Sequence, residues 1–114
     1  MVRAIPERSG YEAMWLMAMF DLPVDSPKAR RAYTRFRKRL LNEGFAQLQY
    51  SVYGRHCASV DLANRVCKVL KKAMPKEGQV RLLMVTERQF GKMQVYEGKK
   101  RIETEQPPAQ YELF

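Results

Sequence analysis

An unbroken apolar run ends on a single acid: Ala13-Met14-Trp15-Leu16-Met17-Ala18-Met19-Phe20, then Asp21 and Leu22-Pro23. A run of this length, bounded by turn residues, reads as a strand buried on both faces in the middle of a sheet. That reading places the strand in the interior of a sheet rather than at its edge. It also puts the Asp21 carboxylate at the rim of the sheet, where its charge can reach solvent. Ser26-Pro27 follows within a few residues and suits the start of a helix: the serine can cap it, and proline at the first turn gives up no needed N–H.

Ala29, Ala32, Tyr33, Phe36 and Leu40 recur at helical spacing along that segment, and Gly44 suits the left-handed residue that ends a helix. Lys28, Arg30, Arg31, Arg35, Arg37, Lys38 and Arg39 fill the remaining arc, and no acid lies between Ser26 and Asn42. A merely solvated helix mixes signs, because opposite charges four apart help and like charges hurt. A one-sided cationic helix tolerates a repulsion that a bound polyanion relieves. The whole chain carries the same bias: 114 residues, 21 Lys+Arg against 12 Asp+Glu, and a net charge of +9. That excess points to nucleic acid as a partner.

The length fits one domain with a single modest core, which buries roughly two-thirds of its unfolded surface and gains from a partner subunit. Residues 1–12 read as an irregular lead-in, 13–98 as the folded domain and 99–114 as a polar tail. No signal-peptide pattern opens the chain, and the apolar run is far short of the ~20 residues a membrane span needs, so a cytoplasmic protein is expected. Cys57 and Cys67 form neither a Cys-x-x-Cys pair nor a disulfide framework. Cys57 sits beside the only histidine, His56, and one Cys with one His falls short of a zinc site.

After the first helix, residues 45–57 are rich in aromatic and β-branched side chains and read as two short strands. Their reversal falls near Tyr50-Ser51 or at Gly54, and the pattern does not choose between them. A second helix is expected over residues 61–74, stopped by Pro75, with Leu62, Val66, Val69, Leu70 and Ala73 on one face. Residues 80–86 read as a strand and residues 89–97 as a further short strand. The order strand, helix, strand, strand, helix, strand is the ferredoxin-like α+β plan, an antiparallel sheet with both helices on one face. Its open face favours a two-fold homodimer, joined by a C-terminal strand extension.

Several residues have two readings. Asp25 precedes the helix cap and is explained by the helix dipole. Phe36 has core spacing, although a base-stacking role is the alternative. Ser51 suits a turn better than a nucleophile. Arg55 and Arg81 fit strand-edge charges or phosphate contacts equally. Tyr11, Tyr53 and Tyr96 fit packing or an interface as readily as a nucleic-acid groove. One carboxylate per chain is thin for metal-dependent hydrolysis, whereas two Asp21 side chains meeting across a dimer axis make a more credible cation site.

Taken together, MWLMAMFDLP, RAYTRFRKRLLNEGF, LQYSVYGRHC, PKEGQVRLLMVTERQFGKM and the ending PPAQYELF resemble the CRISPR-associated protein 2 family, in its type II branch. The resemblance runs from about Gly10 to Phe114. It implies a ferredoxin-like homodimer in CRISPR spacer acquisition that bridges dimers of the CRISPR integrase, CRISPR-associated protein 1, along a DNA duplex. It also implies an Mg²⁺-dependent endonuclease acting on RNA or DNA. The family's metal-binding and catalytic acid falls on Asp21. Its nucleic-acid-binding residues fall on Arg30, Arg31, Arg35, Arg37, Lys38, Phe36 and Ser51. Departures are small: Thr86-Glu87-Arg88-Gln89-Phe90 replaces the usual Thr-Asp-Lys-Gln-Phe, and Ala29 stands where an acid is common. The competing readings are a non-catalytic DNA-binding adaptor and a stand-alone RNA-binding ferredoxin-like module. The last lacks the Lys/Arg-Gly-Phe/Tyr pattern of such modules, and its basic face is helical rather than on the sheet.

Overall fold

A computed structural model describes residues 12–108. Tyr11 and the closing residues 109–114, which carry part of the family resemblance, lie outside the described residues. The elements run β1 (Met14–Asp21), α1 (Pro27–Asn42), β2 (Ala46–Gln49), β3 (Val52–Cys57), α2 (Val60–Lys71), β4 (Gln79–Thr86), α3 (Glu87–Gly91), β5 (Val95–Glu97) and β6 (Lys100–Ile102). The first four strands form one sheet in the order β2-β3-β1-β4 with antiparallel pairing throughout. This is the ferredoxin-like α+β architecture.

β1 is central, as its composition requires, and its alternate residues feed two apolar clusters. Met14, Leu16, Ala18 and Phe20 join Phe36 and Leu40 of α1 and Ala63, Val66 and Leu70 of α2 in the main core. Trp15 and Met17 point to the other face, where they pack with Phe90 of α3. The Trp15 and Phe90 rings stack at 4.0 Å, so part of the face read as open is capped by this short helix.

Both long helices are fixed by local chemistry. Ser26 Oγ accepts the Ala29 N–H at 3.0 Å, with Pro27 opening α1. At its far end the Phe45 N–H reaches Leu40 O, the Gly44 N–H reaches Leu41 O, and Gly44 sits at φ 91. That pair of bonds is a Schellman stop, and Leu40 and Phe45 supply its apolar contact. Ser59 caps α2 by accepting the Leu62 N–H at 3.1 Å, so the helix begins at Val60 rather than residue 61, and it ends at Lys71 rather than residue 74.

Three local expectations are corrected or resolved. The reversal between β2 and β3 falls at Tyr50-Ser51, and the extra residue Leu48 bulges β2 against β3. Residues 87–91, adjoining and partly within the stretch read as a strand, form α3, because Thr86 and Gln89 make a reciprocal capping box at 3.0 and 2.9 Å. The tail read as beginning at Lys99 instead supplies β6. It pairs with β5 across a two-residue loop whose first member, Gly98, has φ 61.

Candidate nucleic-acid interface

Asp21 closes β1 opposite Gln79 of β4, and its carboxylate is exposed at the sheet rim. The chain enters β4 tightly here: a Cβ on Gly78 would stand 2.7 Å from Asp21 O, and Gly78 sits at φ 92. A glycine is required because β4 starts against the backbone of the β1 exit. Among the described residues, no three His, Cys, Asp or Glu side chains gather into a metal-ligating group. Asp21 is the acid that β1 itself brings to this rim, while Asp25 and Glu77 line the adjoining depression with Lys28 and Arg35. Mg²⁺ keeps most of its waters and takes one or two carboxylates, so Asp21 fits it best when a second copy brings a second Asp21.

α1 lies beside this rim and carries the cations. Arg30, Arg31, Arg35 and Lys38 are exposed and Arg37 is half-buried. Among the described residues only Arg39 of this helix is paired, with Glu43 at 3.5 Å. Arg30 donates to Val24 O at 3.2 Å, which spends one N–H and leaves its charge uncompensated. Arg35 is shared by three adjoining surface depressions: one with Pro27, Arg30 and Arg31, one with Asp25 and Lys28, and one with Lys38, Arg39 and Lys76. The last follows the seam between α1 and the chain after α2. A cationic trough thus runs along the helix, of the kind that tracks a phosphate backbone.

Phe36 reaches this surface only at the floor of the last depression. It is 2% exposed and meets Phe20 edge-to-face at 5.2 Å, so its ring cannot stack on a base. The reason is its helical phase, which aims it at the sheet between the cationic residues on either side. Ser51 is half-buried in the β2–β3 turn, and its hydroxyl shares a hydrogen bond with Tyr33 Oη at 3.1 Å. The Phe20 N–H donates to Ser51 O at 3.0 Å, so the turn is tied to the residue just before Asp21.

Arg55 has a structural task. Its Nε donates to Glu43 O at 2.6 Å, closing the C-terminal end of α1. Arg81 is exposed, with Nε donating to Gln79 Oε1 at 3.0 Å. His56 pairs with Glu87 at 2.9 Å and contacts Trp15 edge-on, so the His-Cys dipeptide is part of the packing. Burial, followed by the neighbouring Cys57, pushes the Cys67 thiol up, and both cysteines are free. Tyr53 is buried in the core and Tyr96 is exposed on β5. Among the described residues no helix is long and apolar enough to cross a membrane.

The arrangement defines a class: a small ferredoxin-like domain with a cationic helical trough beside a strand-end carboxylate. Residues 14–93 match the family model described as CRISPR associated protein Cas2, and the chain belongs to that family. Three curated relatives bear the name CRISPR-associated endoribonuclease Cas2. That of Parvibaculum lavamentivorans is 55% identical over 101 residues, covering 89% of this chain and 100% of its own. Those of Flavobacterium psychrophilum and Paracidovorax avenae are 39% and 37% identical, covering 91% and 93% of this chain and 90% and 98% of theirs.

Proposed function

We propose that two copies of this chain form a homodimer that holds a nucleic-acid duplex during CRISPR spacer acquisition and bridges the CRISPR integrase. The same dimer carries an endonuclease site in which the two Asp21 carboxylates hold Mg²⁺. The observation that carries the binding half is the α1 surface, whose exposed cations, Arg39 apart, lack carboxylate partners among the described residues. Support for the nuclease half comes from the name endoribonuclease borne by relatives that span almost the whole chain.

Held between two such carboxylates, Mg²⁺ would supply Lewis acidity for phosphodiester hydrolysis. The chain's own residues do the rest. Arg31, Arg35 and Lys38 fix the backbone, and the exposed position of Asp21 leaves room for water on the reacting side. Phosphate contacts position a strand without reading its sequence, so binding is largely sequence-independent.

A second reading, a non-catalytic adaptor, draws on the single acid that β1 of each chain brings to the rim. One experiment separates the two: spacer integration by the purified integrase alone, with this protein, and with Asp21→Ala. Full integration with Asp21→Ala, alongside loss of Mg²⁺-dependent cleavage, makes the site accessory to an adaptor. Loss of integration with the dimer and duplex binding intact puts the metal site in the mechanism. Cleavage that survives Asp21→Ala removes Asp21 as the catalytic acid.

A further inference from the structure

At 72% exposure, Tyr50 is the most exposed large apolar side chain among the described residues, and it is held in place. Its ring stacks on Tyr33 of α1 with centroids 5.9 Å apart and planes 22° from parallel. Tyr33 rests in turn on Phe20, at 5.7 Å, and so on the core. The next residue, Ser51, adopts φ 115, which side-chain-bearing residues seldom do. Ser51 is fixed on three sides: N–H to Gln49 O at 3.0 Å, C=O from the Phe20 N–H at 3.0 Å, and hydroxyl with Tyr33 Oη at 3.1 Å. A strained turn is kept, and what it presents to solvent is an aromatic ring with one face covered. Folding gains little from an exposed ring, and outliers of this kind concentrate at binding sites.

The surroundings suit an anionic ligand with a flat part. Arg30 and Arg37 stand at i−3 and i+4 from Tyr33, so both lie on its side of α1. A tyrosine ring is uncharged at neutral pH and does not repel phosphate, and the Tyr33 phenol beside it pushes the Tyr50 pKa further up. Bases inside a duplex hide their faces in the stack, and only an unpaired base can lie on a tyrosine.

We propose that Tyr50 is a stacking platform for an unpaired nucleobase, with Arg30 and Arg37 holding the flanking phosphates, so that a single strand leaving the duplex is led past Asp21. This rests on the nucleic-acid-binding reading of α1 and adds a single-strand subsite that α1 alone does not provide. Stacking is tolerant of base identity, so single-stranded RNA and DNA share this chemistry.

The test is fluorescence anisotropy of the full-length protein on labelled single-stranded RNA and DNA oligonucleotides of one sequence, with affinity for a circular duplex measured by competition. Tyr50→Ala is expected to weaken single-strand binding on the order of tenfold and leave duplex affinity unchanged. Tyr50→Phe, which keeps the ring, is expected to bind like wild type. The salt dependence should keep its slope, because no charge is removed. A loss confined to RNA or to DNA assigns the strand type that uses the platform. The inference is overturned if Tyr50→Ala binds single strands as wild type does, or if Tyr50→Phe is as weak as Tyr50→Ala. It is equally overturned if duplex affinity falls by the same factor, or if sedimentation shows that Tyr50→Ala has dissociated a dimer. If wild type binds neither the duplex nor single strands, the reading of α1 falls with it, whereas intact duplex binding without a Tyr50 effect removes this inference alone.

Discussion

Arg35 and Phe36 are adjacent in sequence and separated in function by the 100° that one helical residue turns. Arg35 is exposed at the surface depressions, while the Phe36 ring, although it floors one of them, is buried against Phe20. Deleting the ring would cost roughly 3–5 kcal/mol and unfold much of a domain this small, so loss of binding in Phe36→Ala would say nothing about contact. Phe36→Leu is the discriminating change. It keeps the site apolar and close to full, costing about 1 kcal/mol, and affinity for nucleic acid should stay at the wild-type value. Urea denaturation and duplex titration on the same preparation check both halves. A drop in affinity with the fold intact would return Phe36 to the binding surface. Arg55 makes the complementary point: its charge is spent on the last carbonyl before the Gly44 turn, so a basic residue beside the cationic helix need not face a ligand.

At the scale of elements, α1 is where stability and the proposed binding role pull apart. Arg31 and Arg35 stand four apart and repel each other, and neither has an acid partner among the described residues. Arg31→Glu turns the repulsion into an attraction in the favourable orientation, worth about 0.3–0.5 kcal/mol to the helix. Duplex affinity should fall several-fold at moderate salt while the urea midpoint holds or rises slightly. A variant that loses both stability and affinity would mean that Arg31 serves the fold. The two long helices were legible from strong apolar periodicities, with Ser26-Pro27 and Gly44 marking the ends of α1, whereas α2 ends at Lys71, short of the stop expected at Pro75. α3 was not: five residues give no periodicity to read, and its only signal is the Thr86/Gln89 capping box. β6 was missed because Lys100 and Arg101 have tail-like composition, and pairing with β5 makes them a strand. At the site, the Asp21 strand end and the cationic arc could be read directly. The Tyr33–Tyr50 stack could not, since it joins a helix to a turn 17 residues later and no local pattern records that contact.

For the whole molecule, the open sheet face is the surface on which the proposed homodimer turns. α1 and α2 cover one face, and α3 covers only the Trp15 and Met17 end of the other. Leu83 stands opposite Met17 in register, midway along the edge strand β4, and among the described residues it is left 49% exposed. In the proposed homodimer, a second copy seated on that face would remove this surface from water and would supply the second Asp21 of the proposed cation site. Leu83→Glu buries a charge in such an interface and is therefore expected to sediment as a folded monomer. Two further readouts should move with it. Halving the cations per particle lowers the salt dependence: if the dimer contacts ~6 phosphates, the slope of log K against log salt goes from about −5 to about −3. Mg²⁺-dependent cleavage should disappear although Asp21 is untouched, because each monomer holds one Asp21. A Leu83→Glu protein that stays dimeric would move the two-fold axis off this face. A monomer that still cleaves would show that one Asp21 suffices and that the paired site is wrong.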